Sequence, residues 1–179
     1  MKILLHICCA PCSIYPLDEL RREGLEVTGF FWNHNIHPYQ EFRKRLEAVK
    51  TYGREADLPV MVEEEYFLDD FLRAVAAEPS GRCRYCYASR LDVAACKAAA
   101  EGFPAFTTSL LYSRYQQHDV IRQLGEEAAA RHGIKFRYDD YRRGWRQGID
   151  QSKALGLYRQ QYCGCIYSER DRYGAERRR

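Results

Sequence analysis

The 179 residues are 46% hydrophobic and 30% charged, a balance that excludes disordered and fibrous classes and fits one globular domain of ordinary size. No apolar run approaches the roughly 20 residues needed to span a bilayer. The net charge of +3 is uneven: residues 137–179 hold 11 Lys and Arg against 6 Asp and Glu, and residues 1–136 hold 17 against 19. The basic end permits contact with a phosphate backbone without requiring it, and Arg177-Arg178-Arg179 reads equally as a solvated tail.

In chain order, Ile3–Ile7 is a continuous apolar run, as expected of a strand covered on both faces. It runs straight into cysteines with no small-residue cleavage site, so it reads as a core strand and not a signal peptide, and the chain as cytoplasmic. A short helix over Ser13–Glu23 ends at Gly24, and a second strand covers Val27–Trp32. Pro38 opens a helix from Tyr39 to Ala56, with Phe42, Leu46, Val49 and Tyr52 at helical spacing. A third strand spans Pro59–Glu63. Helices are expected over Tyr66–Ala77 and Tyr87–Ala100, separated by a loop carrying Pro79, Gly81 and two cysteines. Ala105–Leu110 is a fourth strand, Gln117–His132 a helix stopped by Gly133, and Ile134–Tyr138 a fifth strand. Trp145–Leu155 is helical, with Gly156 as its stop.

Strands alternating with helices imply parallel βαβ units, hence a three-layer α/β sandwich with a mainly parallel five-stranded sheet and a helical C-terminal region. Ligands of such sheets sit beyond the carboxyl ends of the strands, where strand order reverses.

Eight cysteines are many for a chain in a reducing compartment, where metal binding or redox chemistry outweighs structural disulfides. Seven fall in three groups: Cys8-Cys9-Ala10-Pro11-Cys12, Cys83-Arg84-Tyr85-Cys86 and Cys163-Gly164-Cys165. A closed zinc site takes four ligands, so seven thiols exceed its demand. Four would hold a [4Fe–4S] cluster and leave three, enough for a second metal with an open position or for a relay that makes and breaks a disulfide. Cys96, inside an alanine-rich helix, is expected to pack as a small hydrophobe.

The loop after the first strand lacks the glycines of a phosphate cradle, which argues against ATP-dependent chemistry such as base-activating tRNA thiolation. His6 reads either as a hydrogen-bonded core residue or as a proton donor. Asn33 and Asn35 follow the second strand, and Ser109 and Gln116 the fourth. All four stand at ligand-binding strand ends, where they orient a substrate or serve as loop and cap residues. From Asp140 to Cys163 the chain is dense in Arg, Tyr, Gln and Trp. Guanidinium groups such as Arg142 and Arg159 grip phosphates, and aromatic faces stack on unpaired bases. The bland reading is an amphipathic helix with a solvated face.

The runs Leu4-Leu5-His6-Ile7-Cys8-Cys9-Ala10-Pro11-Cys12-Ser13, Cys83–Cys86 and Gly156-Leu157-Tyr158-Arg159-Gln160-Gln161-Tyr162-Cys163-Gly164-Cys165-Ile166-Tyr167-Ser168 resemble the QueH type of epoxyqueuosine reductase. The resemblance covers nearly the whole chain. It implies a fold related to PP-loop and other nucleotide-binding α/β proteins. The implied activity is cobalamin-independent reduction of the epoxide of epoxyqueuosine in tRNA, the last step of queuosine synthesis, fed by an external low-potential donor such as a ferredoxin-like protein. It also implies a [4Fe–4S] cluster, assigned to Cys8, Cys9, Cys83 and Cys86, beside a second metal, expected to be iron, assigned to Cys12, Cys163 and Cys165. Some members carry an aspartate where this chain has Cys12, which would make the second site richer in sulfur here. For proton delivery to the departing oxygen the candidates are His6, Tyr162 and an aspartate, and Asn33, Asn35, Ser109, Gln116, Arg142, Arg159 and Gln160 are the candidate substrate contacts. The rival readings are a zinc-stabilised RNA-binding module and a thiol–disulfide redox protein.

Overall fold

The computed structural model describes residues 1–174. Arg177–Arg179 lie outside the described residues. The strands are β1 (Lys2–His6), β2 (Glu26–Phe31), β3 (Val60–Val62), β4 (Ala105–Thr108) and β5 (Lys135–Phe136). The helices are α1 (Ala10–Arg22), α2 (Tyr39–Glu55), α3 (Leu68–Val75), α4 (Arg82–Ala100), α5 (His118–His132), α6 (Trp145–Ala154) and α7 (Ile166–Tyr173). The sheet runs β3-β2-β1-β4-β5, every pairing parallel. This order reverses between β1 and β4, the switch point at which such folds open a crevice. The expected three-layer sandwich is therefore present.

Side-chain alternation along β1 sorts the core. Ile3, Leu5 and Ile7 pack with Ile14, Leu17 and Leu20 of α1 and Phe42, Leu46 and Val49 of α2. Leu4 points the other way, to Phe106 of β4 and to α4 and α5. Ala94, Ala95 and Ala98 of α4 share that core with Ala128 and Ala129 of α5. These small side chains let the two helices approach closely. The same periodicity places Cys96 on the solvent side. The expectation that Cys96 packs is thus corrected: the inward positions of α4 belong to the alanines around it.

Three boundaries depart from the pattern reading. α1 starts at Ala10 because Pro11 suits the first turn of a helix, where no backbone N–H is needed; Cys12 is therefore helical. α4 starts at Arg82, so Cys83 and Cys86 belong to its first turns and not to a loop. β4 stops at Thr108, whose hydroxyl accepts from the Leu110 amide and turns Ser109–Tyr112 into a 3₁₀ turn. α7 went unread because Ile166–Tyr173 has no apolar stripe; it is started by Cys165, whose sulfur accepts from the Ser168 amide at 3.4 Å.

The segment between α6 and α7 has no regular structure and is fastened to α2. Arg45, 2% exposed, donates to Glu41 Oε1 at 2.7 Å, to the Cys163 carbonyl at 2.8 Å and to the Tyr162 carbonyl at 3.0 Å. Tyr158 donates to the other Glu41 oxygen. Removing one partner of a buried ion pair leaves the other charge stranded. Arg45→Met is accordingly expected to cost about 3–5 kcal/mol in denaturant unfolding. The double variant Glu41→Gln/Arg45→Met should recover part of that loss.

Candidate metal centre

Cys8 and Cys9 leave β1 at the switch point and Cys12 completes the first turn of α1. Their sulfurs lie within 4.8 Å of one another. Cys9 and Cys12 are buried and Cys8 is half-buried. Ser109, across the crevice at the end of β4, accepts from the Cys8 amide at 2.9 Å and donates to the Cys8 sulfur at 3.2 Å. The N-terminus of α1, the kind of position at which such sheets hold phosphates, here carries Cys9 as its cap residue and Cys12 in its first turn.

The three thiols share charge. Hydrogen bonds from Cys12 and Cys9 hold Cys8 well below the usual thiol value. Cys9 is pushed up, mainly by burial. Cys12 is pushed up mainly by its hydrogen bond to Cys8. One thiolate is thus favoured and two are resisted until a cation arrives. All eight cysteines are free thiols, and three converging sulfurs at a dry helix N-terminus suit a thiophilic metal. The residues present fit such a group.

Cys83 and Cys86 lie at the start of α4. Burial pushes the Cys86 thiol up to about 12, with Cys163 and Cys165 close enough to add repulsion. Cys83 is raised by burial, again with Cys163 and Cys165 nearby. The division drawn from the resemblance set Cys12 apart from Cys8 and Cys9. In the structure those three stand together, and Cys83 and Cys86 neighbour Cys163 and Cys165.

Gln160, two residues after Tyr158, reaches back to the first group, with its amide nitrogen 2.8 Å from the Cys9 sulfur and 3.3 Å from that of Cys12. Gln116 places its amide 3.5 Å from the Cys163 sulfur and takes a hydrogen bond from Tyr87 at 2.6 Å. Gly164 sits at φ +155°, where a Cβ would stand 2.8 Å from the Asn35 carbonyl, so only glycine turns the chain between Cys163 and Cys165. His37 donates its amide to the Gly164 carbonyl and accepts from the Ile166 amide. The Asn33–His37 loop thereby cradles the third cysteine group.

Among the other sequence candidates, Asn33 donates to the Ile7 carbonyl at 3.0 Å and accepts from Arg90 at 2.6 Å, so it braces the site. Asn35 is buried, with its side-chain oxygen unpartnered. His6 is fully buried, one ring nitrogen on Thr108 and the other on the Trp32 carbonyl. Burial pushes its pKa down to about 3. Tyr162 donates to the His37 carbonyl at 2.5 Å, lies beneath Arg45 and is raised by burial to about 12. Arg142 is held in a bidentate pair with Asp140. Arg159 is exposed.

Sequence reasoning missed Arg45, Arg90 and Tyr115; Trp145 lay within the segment read as base-stacking, but its stacking on Tyr112 across 33 residues was not legible. The available signal for Arg90 was its place in the inward stripe Tyr87, Arg90, Leu91, Ala94, one helical turn after Cys86.

Comparison with known proteins bears on what this arrangement belongs to. Residues 3–171 match the family model described as epoxyqueuosine reductase QueH. The epoxyqueuosine reductase QueH of Dehalococcoides mccartyi is 38% identical over 97% of this chain and 95% of its own. That of Thermotoga maritima is 33% identical over 93% and 89%. A crystal structure described as a predicted subunit of tRNA methyltransferase from Methanocaldococcus jannaschii matches with a TM-score of 0.57 at 10% identity, over 86% of this chain and 74% of that one. At that identity the likeness shows a shared fold alone. With the motifs of β1, α4 and the segment before α7 all inside the matched region, the chain belongs to the epoxyqueuosine reductase QueH family.

Proposed function

We propose that this protein reduces the epoxide of epoxyqueuosine to the alkene of queuosine in tRNA, with thiolate-held metal as its cofactor. The observation that carries the reading is the buried triad Cys8, Cys9 and Cys12 at the switch point, contacted by Gln160 from the motif that also bears Cys163 and Cys165. The seven thiols suffice for a [4Fe–4S] cluster held by four, Cys86 among them, and for a second metal held by three, Cys12 among them, iron being the candidate. The reaction takes up two electrons and two protons and releases the epoxide oxygen as water. A bound cluster supplies one-electron transfer and a thiolate-held metal supplies Lewis acidity. The electrons come from an external low-potential donor, of which a ferredoxin-like protein is the chemical type.

The chain's own residues do the rest. The wall formed by Cys9, Cys12, Ser109 and Leu110 is buried and excludes water. Gln160 and Ser109 orient the thiols by hydrogen bonds to sulfur, the kind of second-layer contact that tunes a metal site. Arg45 fixes the backbone on either side of Cys163. The contacts of His6 and Tyr162 favour positioning over proton delivery, since each polar atom is already engaged inside the fold.

The rim supports an RNA substrate. Tyr112 lies next to Cys12 and Cys9, with Arg114 and Arg159 close by. Its ring stacks on Trp145 at 5.1 Å. Arg114 covers Trp145 at 5.6 Å, and Tyr115, 84% exposed, stands edge-on to the same ring at 5.8 Å. Tyr112 is buried and Trp145 half-buried, so the exposed ring at this rim is Tyr115; an exposed aromatic face beside guanidinium groups is what unpaired bases and their phosphates bind. Among the described residues, Arg114 and Arg159 form no ion pair, unlike Arg142, Arg143 and Arg146.

Anaerobic reconstitution is expected to give a brown protein with about four irons and four sulfides, plus one further metal. A colourless chain holding zinc alone would support the rival RNA-binding module. Cys12→Ala should lose the further metal while retaining sulfide, whereas Cys86→Ala should lose sulfide.

On tRNA bearing epoxyqueuosine, Cys9→Ala is expected to abolish turnover and Gln160→Ala to lower it about 10- to 100-fold, the usual cost of removing a partner of a metal ligand. Undiminished turnover by Cys9→Ala would remove this mechanism. Tyr115→Ala should weaken binding of the anticodon stem-loop roughly 5- to 100-fold, as the loss of one stacked base implies, with metal content unchanged.

A further inference from the structure

Arg90 of α4 is the unusual charge of the molecule. It is 2% exposed. Its guanidinium donates to the neutral Asn33 side chain at 2.6 Å and reaches the Cys86 sulfur at 3.6 Å. Among the described residues its Nε has no partner. The other deeply buried arginine, Arg45, has Glu41 at 2.7 Å; among the described residues, Arg90 has no carboxylate within 4.0 Å. Burial of an unpaired cation costs several kcal/mol, and arginine does not escape the cost by losing its proton. The anions within reach come from the cysteines: burial opposes the charge on Arg90, and the thiols of Cys86, Cys8 and Cys163 favour it. Those three belong to the three separate cysteine groups. His6 and His34, both nearby, are neutral in their buried settings.

We propose that Arg90 is a positioning residue whose charge is balanced by the thiolate-bound metal group, and that it sets the reduction potential of that group from between the two sets of thiols. The inference rests on the metal-centre reading above. Each electron taken from a low-potential one-electron donor adds one negative charge beside a fixed positive one. In a dry interior that attraction is weakly screened, so the cation favours the reduced form. In the metal-free chain the thiolate favoured at Cys8 is the one anion that faces Arg90, whereas a loaded centre holds several, so Arg90 stabilises the loaded chain more than the metal-free one.

The test compares wild type, Arg90→Met, Arg90→Lys and, as an exposed control beside Cys83, Arg84→Gln. Each is reconstituted anaerobically and assayed for iron and sulfide, for midpoint potential by redox titration, and for denaturant stability with and without metal. Arg90→Met is expected to lower the reduced-to-oxidised ratio at the wild-type midpoint at least tenfold, about 59 mV for one electron. Arg90→Lys should restore most of that shift, and Arg84→Gln should leave the potential in place. Arg90→Met should cost the metal-free protein less stability than it costs the loaded one. If Arg90→Met cannot retain iron and sulfide, a metal-free stability close to that of wild type together with retention by Arg90→Lys supports the proposal. Wild-type potential in a fully loaded Arg90→Met overturns it, as does an equal loss of stability with and without metal. A wild-type chain that takes up no iron and sulfide overturns the metal-centre reading itself.

Discussion

A buried sulfur becomes a metal ligand only if its negative charge is stabilised, and that constraint orders this molecule. A thiol removed from water keeps its proton, as the upward shifts at Cys9 and Cys86 show. The fold counters this with positive partial charge and full positive charge. Cys9 and Cys12 sit at the N-terminus of α1, Cys83 and Cys86 in the first turns of α4, and Cys165 at the start of α7, where unpaired backbone amides favour an anion. Two buried guanidinium groups add to this, Arg45 near Cys9 and Cys163 and Arg90 near Cys86, Cys8 and Cys163. The arginines differ in one respect. Arg45 carries its own carboxylate and so can act as a permanent structural clamp, whereas Arg90 does not.

The same architecture explains why cysteines stand where related folds place phosphate loops. The switch point between β1 and β4 presents a helix N-terminus to a crevice. A glycine-rich loop there leaves room for phosphate oxygens. Here Cys8, Cys9 and Pro11 fill that room, and Ser109 faces Cys8 across it. A crevice whose electrostatics suit an oxyanion suits equally the sulfurs of a group that could hold a metal ion. A tenth of residues shared with the methanogen protein is enough to preserve such a frame, because the frame depends on the apolar pattern of strands and helices and not on the residues at their ends.

Much of this frame was legible from residues alone. The Ile3–Ile7 run, the Phe42, Leu46, Val49 stripe and the Gly133 stop are local signals, and each element they announce is present within a few residues. Cys12 and Cys83 were misplaced into loops because a helix start depends on capping, and neither α1 nor α4 has a side-chain cap to announce it. α7 was invisible because its order comes from Ser168 against Cys165 and Gly164 and from Arg82 against Asp171 at 2.6 Å. These contacts lie mostly outside any periodic pattern. The three cysteine groups could be counted but not partitioned. Sequence spacing says nothing about which sulfurs meet in space, and here the first group is complete within five residues while the other two depend on long-range packing.

That dependence gives the C-terminal segment its role. Residues between α6 and α7 contribute few core side chains, Leu157 and Cys165 being the buried ones. Their position is dictated by backbone contacts: Arg45 to two consecutive carbonyls, His37 to Gly164 and Ile166. Fixing the backbone leaves the side chains of the segment available, so Gln160 can point inward to Cys9 and Cys12 while Arg159 next to it points to solvent at the rim. One short stretch therefore joins two tasks that must coincide in space. It carries sulfur to the buried centre and presents a cation beside the aromatic shelf. Anything that shifts the stretch moves the cation and Cys163 together, so the rim and the centre are coupled by covalent geometry before any substrate is bound.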